Sequence, residues 1–238
     1  MSLSDTARER LLTVSTATLT TLLFKRGLRN VFLQNVHPVT AGMPRMVGPA
    51  CTLRLIPARE DIDVMEAYAD PEHPQRQAIE TCPPSAVLVI DSRKDARGAS
   101  AGDILITRLM VRGVAGIVTD GGFRDTPAIA ALGFPAYQQR ASVPVGPIWH
   151  HAADIGLPIA CGDVAVFPGD VVVGDGEGVV IIPAHIADEI AAEAVEMTAF
   201  EDFVTEEVLK GRSILGLYPA TEEQTRTDFA AWRKANGR

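Results

Sequence analysis

Aromatic side chains make up only 5% of this 238-residue chain, and it has three cysteines. With few rings available, Val, Ile, Leu and Ala must build the core; apolar residues reach 47%, a composition usual for buried parallel strands. Cys51, Cys82 and Cys161 are odd in number, widely spaced and without a CxxC pair. That pattern argues against a disulfide framework or a zinc motif and for a reducing compartment. An excess of positive charge is missing as well. The formal net charge is −8, with 22 basic and 30 acidic residues. A general nucleic-acid partner or an acidic membrane surface would require clustered Lys and Arg, so neither is expected. No stretch approaches the roughly 18 uninterrupted apolar residues of a membrane span. The opening "MSLSDTARERLL" puts charges where a signal peptide needs its apolar run. The expectation is a soluble cytoplasmic protein of one domain over 1–238, with 184–238 as a helical C-terminal extension.

Local patterns supply the elements. Residues 4–26 predict an amphipathic helix, capped by Ser4 or Asp5 and ended at Gly27. "MVGPACTLRLIPA" (46–58) and "SAVLVIDSR" (85–93) have strand character. The acidic segment between them predicts a loop and a short helix. Residues 94–101 predict a loop, and a helix should run from Asp103 to Arg112 and end at Gly113. "VAGIVTD" is a second buried strand, so strand, crossover helix and strand form a βαβ unit. Residues 142–183 alternate short apolar runs with Gly-Asp and Pro-Gly turns, as in a β-meander. A long acidic helix is expected over 184–210, then a last helix with Thr221 and Gln224 at capping-box spacing.

The βαβ geometry brings two turns together. The crossover helix starts near the carboxyl edge of the first strand, and the parallel second strand ends at that same edge, so Gly102 and Arg124 should be neighbours. The unpaired first-turn amides of Gly102, Asp103, Ile104 and Leu105 suit a carboxylate or phosphate. Arg124 adds a planar cationic fork for a carboxylate or ketone oxygen. Asp125 supplies a hard oxygen ligand for Mg²⁺ or Mn²⁺, which often take only one or two protein carboxylates. Each residue also has a plain structural reading. Asp125 suits the N-cap of a helix begun by Pro127, Arg124 a solvated surface charge or half of a weak ion pair, and Gly121 and Gly122 simple turn geometry. His150-His151 lacks a third ligand, and Arg59-Glu60-Asp61 with Asp63 reads as a solvated turn in preference to the lining of a site.

"GDILITRLMVRGVAGIVTDGGFRD" (102–125) resembles the signature region of the RraA-like family, which includes 4-hydroxy-4-methyl-2-oxoglutarate aldolases and related oxaloacetate decarboxylases. The likeness extends through "VGPACTLRLIPARED" before it and "PGDVVVGDGEGVVIIP" after it. The resemblance implies an α/β sandwich of the swivelling phosphohistidine-domain type, assembled as homotrimers or homohexamers with sites near subunit boundaries. It further implies that the amides of Gly102 through Leu105 bind a pyruvate-like carboxylate, that Arg124 holds the substrate and that Asp125 ligates Mg²⁺ or Mn²⁺. Asp103 would hydrogen-bond a water of the metal shell, and Glu201 would reach a neighbouring subunit's site. The implied reaction is metal-dependent retro-aldol cleavage of a 4-hydroxy-2-oxo acid to pyruvate, with oxaloacetate decarboxylation through the same enolate. No lysine in the motif offers a Schiff base. The longer ending "GRSILGLYPATEEQTRTDFAAWRK" departs from the shorter family members and leaves the particular substrate open. The family also includes non-catalytic regulators of a ribonuclease. The acidic residues Glu193, Glu196, Glu201, Glu206 and Glu207 would be the docking face for that alternative, or simply a solvated helix face.

Overall fold

Two serines divide the predicted N-terminal helix. In a computed structural model that describes residues 3–238, α1 spans Asp5–Leu11 and α2 spans Thr16–Lys25. Ser4 Oγ accepts from Ala7 N–H at 3.1 Å, and Ser15 Oγ from Thr18 N–H at 3.0 Å. Capping requires extended backbone at Ser15 (φ −78°, ψ 152°), so the helix cannot run through it. Gly27 ends α2 at φ +84°, in the left-handed region that glycine adopts without a Cβ clash.

The strands follow in chain order: β1 (His37–Pro38), β2 (Met46–Pro57), β3 (Val87–Asp91), β4 (Ala99–Ala101), β5 (Gly116–Thr119), β6 (Gly122–Phe123) and β7 (Ala136–Gln138). The strand-rich region then supplies β8 (His150–Ile155), β9 (Ile159–Cys161), β10 (Val164–Val166), β11 (Val171–Gly174) and β12 (Val179–Ile182). Helices α3 (Pro74–Thr81), α4 (Asp103–Val111) and α5 (Thr126–Ala131) lie between the early strands, and α6 (Ala187–Leu209) and α7 (Glu223–Asn236) close the chain. The principal sheet has the order β1-β7-β5-β3-β2-β11-β12, with β8 also on β2. Its centre, β2-β3-β5-β7, is parallel; β1, β8, β11 and β12 pair antiparallel. Every residue of β3 and β5 is buried, which is why both read as continuous apolar runs.

Three apolar layers surround this sheet. Ile79 of α3, Ile106 and Leu109 of α4 and Ile129 of α5 pack against Leu88, Ile90 and Ile117. Val87, Val89 and Val118 form another cluster with Tyr137, Cys161 and Val172. Leu11, Leu19, Leu23 and Ile190 cover Val171, Val173, Val180 and Ile182. The C-terminal extension has its own small core, in which Phe203 and Leu217 pack with Phe200, Phe229 and Trp232. The expected capping box is not formed. The last helix starts at Glu223, Glu222 occupies its N-cap, and no side chain caps it. All three cysteines are free thiols. Among the described residues no helix is long and apolar enough to cross a membrane.

Candidate active site

A short parallel strand pair absent from the sequence reading builds the site. Residues 99–101, expected as loop, form β4 and pair with β6. Arg124 N–H donates to Ala101 C=O at 3.0 Å, so the two turns leave this pair side by side. Beneath it lie three hydroxyls: Ser92 to Ser100 at 2.7 Å, Ser92 to Thr119 at 2.8 Å and Ser100 to Thr119 at 3.0 Å. Gly121 and Gly122 serve close packing, not the turn geometry expected of them. A Cβ on Gly121 would lie 2.6 Å from Ser92 Cβ, and one on Gly122 2.6 Å from Arg140 O. Buried Asp120 accepts from the amides of Ser92 (2.7 Å), Lys94 (3.1 Å) and Gly162 (3.1 Å), tying three segments below the motif. Burial raises its pKa, while these amide bonds work in the opposite direction.

At the surface of this platform, Gly102 is the N-cap of α4, and its C=O accepts from Ile106 N–H at 3.1 Å. A Cβ there would come 2.9 Å from Arg124 Cγ and 3.0 Å from Asp125 Oδ2. Glycine therefore permits the Arg-Asp pair to lie directly against the helix start. The amides of Asp103 and Leu105 have no acceptor among the described residues. Ile104 N–H is committed, donating to Asp103 Oδ1 at 2.8 Å. An incoming carboxylate would meet that amide only after displacing Asp103.

Asp125 has the backbone of an N-cap, its C=O accepting from Ala128 and Ile129 at 3.0 and 3.1 Å. Its side chain makes no cap bond. The residue sits instead at φ +59°, ψ +34°, a left-handed conformation that costs a non-glycine residue about 1–2 kcal/mol. Its carboxylate is turned back to Arg124, Nε to Oδ2 at 3.1 Å. The two charges pair, which is the weak ion pair that the plain reading of Arg124 allowed. Both side chains are about two-fifths exposed (41% and 38%), so the pair is weak and either partner can be drawn off by a stronger ligand.

Gly102, Asp103, Ile104, Leu105, Arg124 and Asp125 line one cavity of about 330 Å³. Glu201 does not. Its carboxylate accepts from Thr18 Oγ1 at 2.7 Å on the α2–α6 face. The remaining wall comes from residues the sequence reading passed over: Met65 and Tyr68 of a 3-10 turn, Gln75 and Arg76 of α3, and Val145–Pro147. Nothing in periodicity marks them, because they come from the acidic segment and a Pro-rich loop. Asp63 anchors that segment, accepting from Arg59 N–H at 2.6 Å and pairing with His151 Nδ1 at 2.8 Å. His150 is buried between Gly98 O (3.1 Å) and Arg93 Nη2 (3.3 Å), and burial lowers its pKa. Both histidines are thus structural.

Among the described residues there is no group of three His, Cys, Asp or Glu side chains that could hold a metal. A zinc centre does not fit. A hard cation does fit, because the carboxylates lining the cavity are Asp103 and Asp125 and such ions take one or two protein carboxylates and fill the remaining positions with water and substrate.

Comparison with known proteins points to one family. The RraA-like family model, described as Aldolase/RraA, matches residues 3–181. A Halalkalibacterium halodurans protein provisionally named a 4-hydroxy-4-methyl-2-oxoglutarate aldolase is 30% identical over 176 residues, spanning 74% of this chain and 77% of its own. The crystal structure of Streptomyces coelicolor RraAS2, an unusual member of the RNase ES inhibitor RraA family, is 30% identical, with a TM-score of 0.74 over 85% of this chain and 97% of that one. An uncharacterised Pseudomonas syringae protein shares the fold at 20% identity, with a TM-score of 0.78 over 92% of this chain and 99% of its own.

Proposed function

Because the chain belongs to the RraA-like family, we propose that it is a lyase that cleaves a 4-hydroxy-2-oxo acid to pyruvate with the help of a divalent metal, and that it decarboxylates oxaloacetate at the same site. The observation that carries this reading is the junction of two half-sites at Gly102: an anion-binding helix start and an adjacent Arg124-Asp125 pair in one cavity.

In this mechanism the free amides of Asp103 and Leu105 bind the 2-oxo acid carboxylate at the positive end of α4. Arg124, released from its weak pair with Asp125, donates to the ketone oxygen as negative charge grows there. Losing one such donor commonly costs about 3 kcal/mol in barrier. Asp125, with Asp103 beside it, would hold Mg²⁺ or Mn²⁺, which when bound supplies Lewis-acid stabilisation of the same oxygen. Asp103 is the second carboxylate on the wall, and in this reading it takes the 4-hydroxyl proton once its oxygen is released from Ile104 N–H. Cleavage of the C3–C4 bond releases the C4 fragment as a carbonyl compound and leaves pyruvate enolate, which takes up a proton at C3 to become pyruvate; loss of carbon dioxide from oxaloacetate gives the same enolate. The same reading includes the swivelling phosphohistidine-domain type of fold, a homotrimer or homohexamer, and Glu201 reaching the site of a neighbouring copy.

The likeness to RraAS2 supports a second reading, a non-catalytic regulator that docks through the acidic residues of α6. Those residues are largely occupied within the chain. Glu193 pairs with Arg26 at 2.5 Å, Glu196 with Arg233 at 2.6 Å, and Glu207 with Lys210 at 2.8 Å. Glu206 accepts from Trp232 Nε1 at 2.8 Å, and Glu201 from Thr18. A basic partner would have to break these contacts, so chemistry is the better-supported reading. A panel of 2-oxo acids assayed for pyruvate release should give turnover that EDTA abolishes. Absence of turnover, together with a pull-down that depends on those glutamates, would favour the regulator.

A further inference from the structure

The wall facing the motif carries a second cation. Arg76 lies on the same cavity as Arg124, and its guanidinium carbon sits 4.8 Å from the centre of the Tyr68 ring. Arg97, Arg108, Arg112 and Arg124 each pair with a carboxylate, whereas Arg76 has no carboxylate partner among the described residues. Asp63, the acid whose charge reaches Tyr68 from the same segment, is committed to His151 and the Arg59 amide.

The position of Arg76 is fixed from two sides. The buried side chain of Gln75, its neighbour on α3, donates through Nε2 to Ser100 C=O at 2.7 Å. That bond ties α3 to β4, the strand that runs into Gly102. On the other side Tyr68 packs against Gly146, where a Cβ would lie 3.3 Å from its hydroxyl and 2.8 Å from Ala99 O. A planar cation held on an aromatic face and left without a counter-charge, on a cavity already provided with one anion site, is built for a ligand with a second anion.

We infer that Arg76, positioned by Tyr68, is the specificity-determining residue of the site, binding a carboxylate at the end of the substrate remote from the 2-oxo acid group. The inference rests on the lyase reading for its substrate, but the arginine's role as an anion site can be tested separately. In turnover, the comparison is between a dicarboxylic 4-hydroxy-2-oxo acid such as 4-hydroxy-2-oxoglutarate, whose remote carboxylate survives C3–C4 cleavage, and 4-hydroxy-2-oxopentanoate, which lacks the second carboxylate. Arg76→Gln should raise KM for the dicarboxylic substrate by roughly 10- to 100-fold, the usual size of a charge-assisted contact, with little change in kcat. It should leave 4-hydroxy-2-oxopentanoate within about twofold. Tyr68→Leu should shift KM in the same selective way but less, and Arg76→Lys should recover part of the loss. An equal effect on both substrates, or none on either, would overturn the assignment. If the wild-type protein turns over neither, the lyase reading fails, and calorimetry with 2-oxoglutarate and 2-oxobutanoate decides the anion site alone. Preference for 2-oxoglutarate that Arg76→Gln removes upholds it; binding of the two without preference, or a preference that survives the substitution, overturns it.

Discussion

Asp125 combines a backbone penalty with an exposed charge, a combination that stability alone does not favour. Replacing it separates the two. Asp125→Gly should relieve the left-handed backbone and raise Tm by about 1–3 °C, while pyruvate formation falls by about 100-fold or more. Asp125→Asn tolerates the same backbone and should lose activity with Tm nearly unchanged. A second residue-scale effect concerns acid stability. Asp95 accepts from the backbone and guanidinium of Arg97, at 3.0, 2.9 and 2.6 Å, and the Arg97 bonds hold its pKa down at about 2. A carboxyl depressed on folding stabilises the protein above its ordinary pKa of 3.8 and loses that contribution as pH falls towards 2. Asp95→Asn should therefore cost about 1 kcal/mol at pH 7, a modest figure because Arg97 is 58% exposed. The difference from wild type in denaturant titrations should shrink across pH 4 to 2.

Among the elements, the β4–β6 pair and the hydroxyl layer beneath it decide whether the two turns meet. Gly121→Ala would drive a methyl into Ser92, and Asp120→Ala would leave the amides of Ser92, Lys94 and Gly162 without their acceptor. Each should destabilise by about 2–4 kcal/mol in urea unfolding, with activity lost alongside. The βαβ unit was legible from sequence because β3 and β5 are buried on both faces and Gly113 ends α4 at φ +77°. The adjacency of Gly102 and Arg124 followed from that topology. The strand at 99–101 was not legible, since "ASA" has neither length nor alternation to distinguish it from a small-residue loop. The Arg124–Asp125 contact and the commitment of Ile104 N–H to Asp103 depend on side-chain torsions that no pattern encodes. The far wall escaped for a different reason. Tyr68, Arg76 and Gly146 come together only through tertiary packing of a 3-10 turn, α3 and the 145–147 loop, which no local pattern relates to one another.

For the whole molecule, Glu201 of α6 lies outside the cavity of its own chain, its carboxylate bonded to Thr18 of α2. The account therefore requires more than one copy if Glu201 is to act. Light scattering should give three or six times the 25.4 kDa chain mass. Mixing inactive Glu201→Gln and Asp125→Asn chains under subunit exchange should restore measurable turnover, because some sites then receive both intact residues. A monomeric mass, or no recovery on mixing, would confine the chemistry to the cavity of one chain. The central claim meets its most direct test in one assay, pyruvate released from oxaloacetate and from a 4-hydroxy-2-oxo acid by the wild-type protein and Asp125→Ala, with Mg²⁺ and with excess EDTA. The account predicts turnover only for the wild type with metal, and full activity after EDTA treatment or in Asp125→Ala would contradict it.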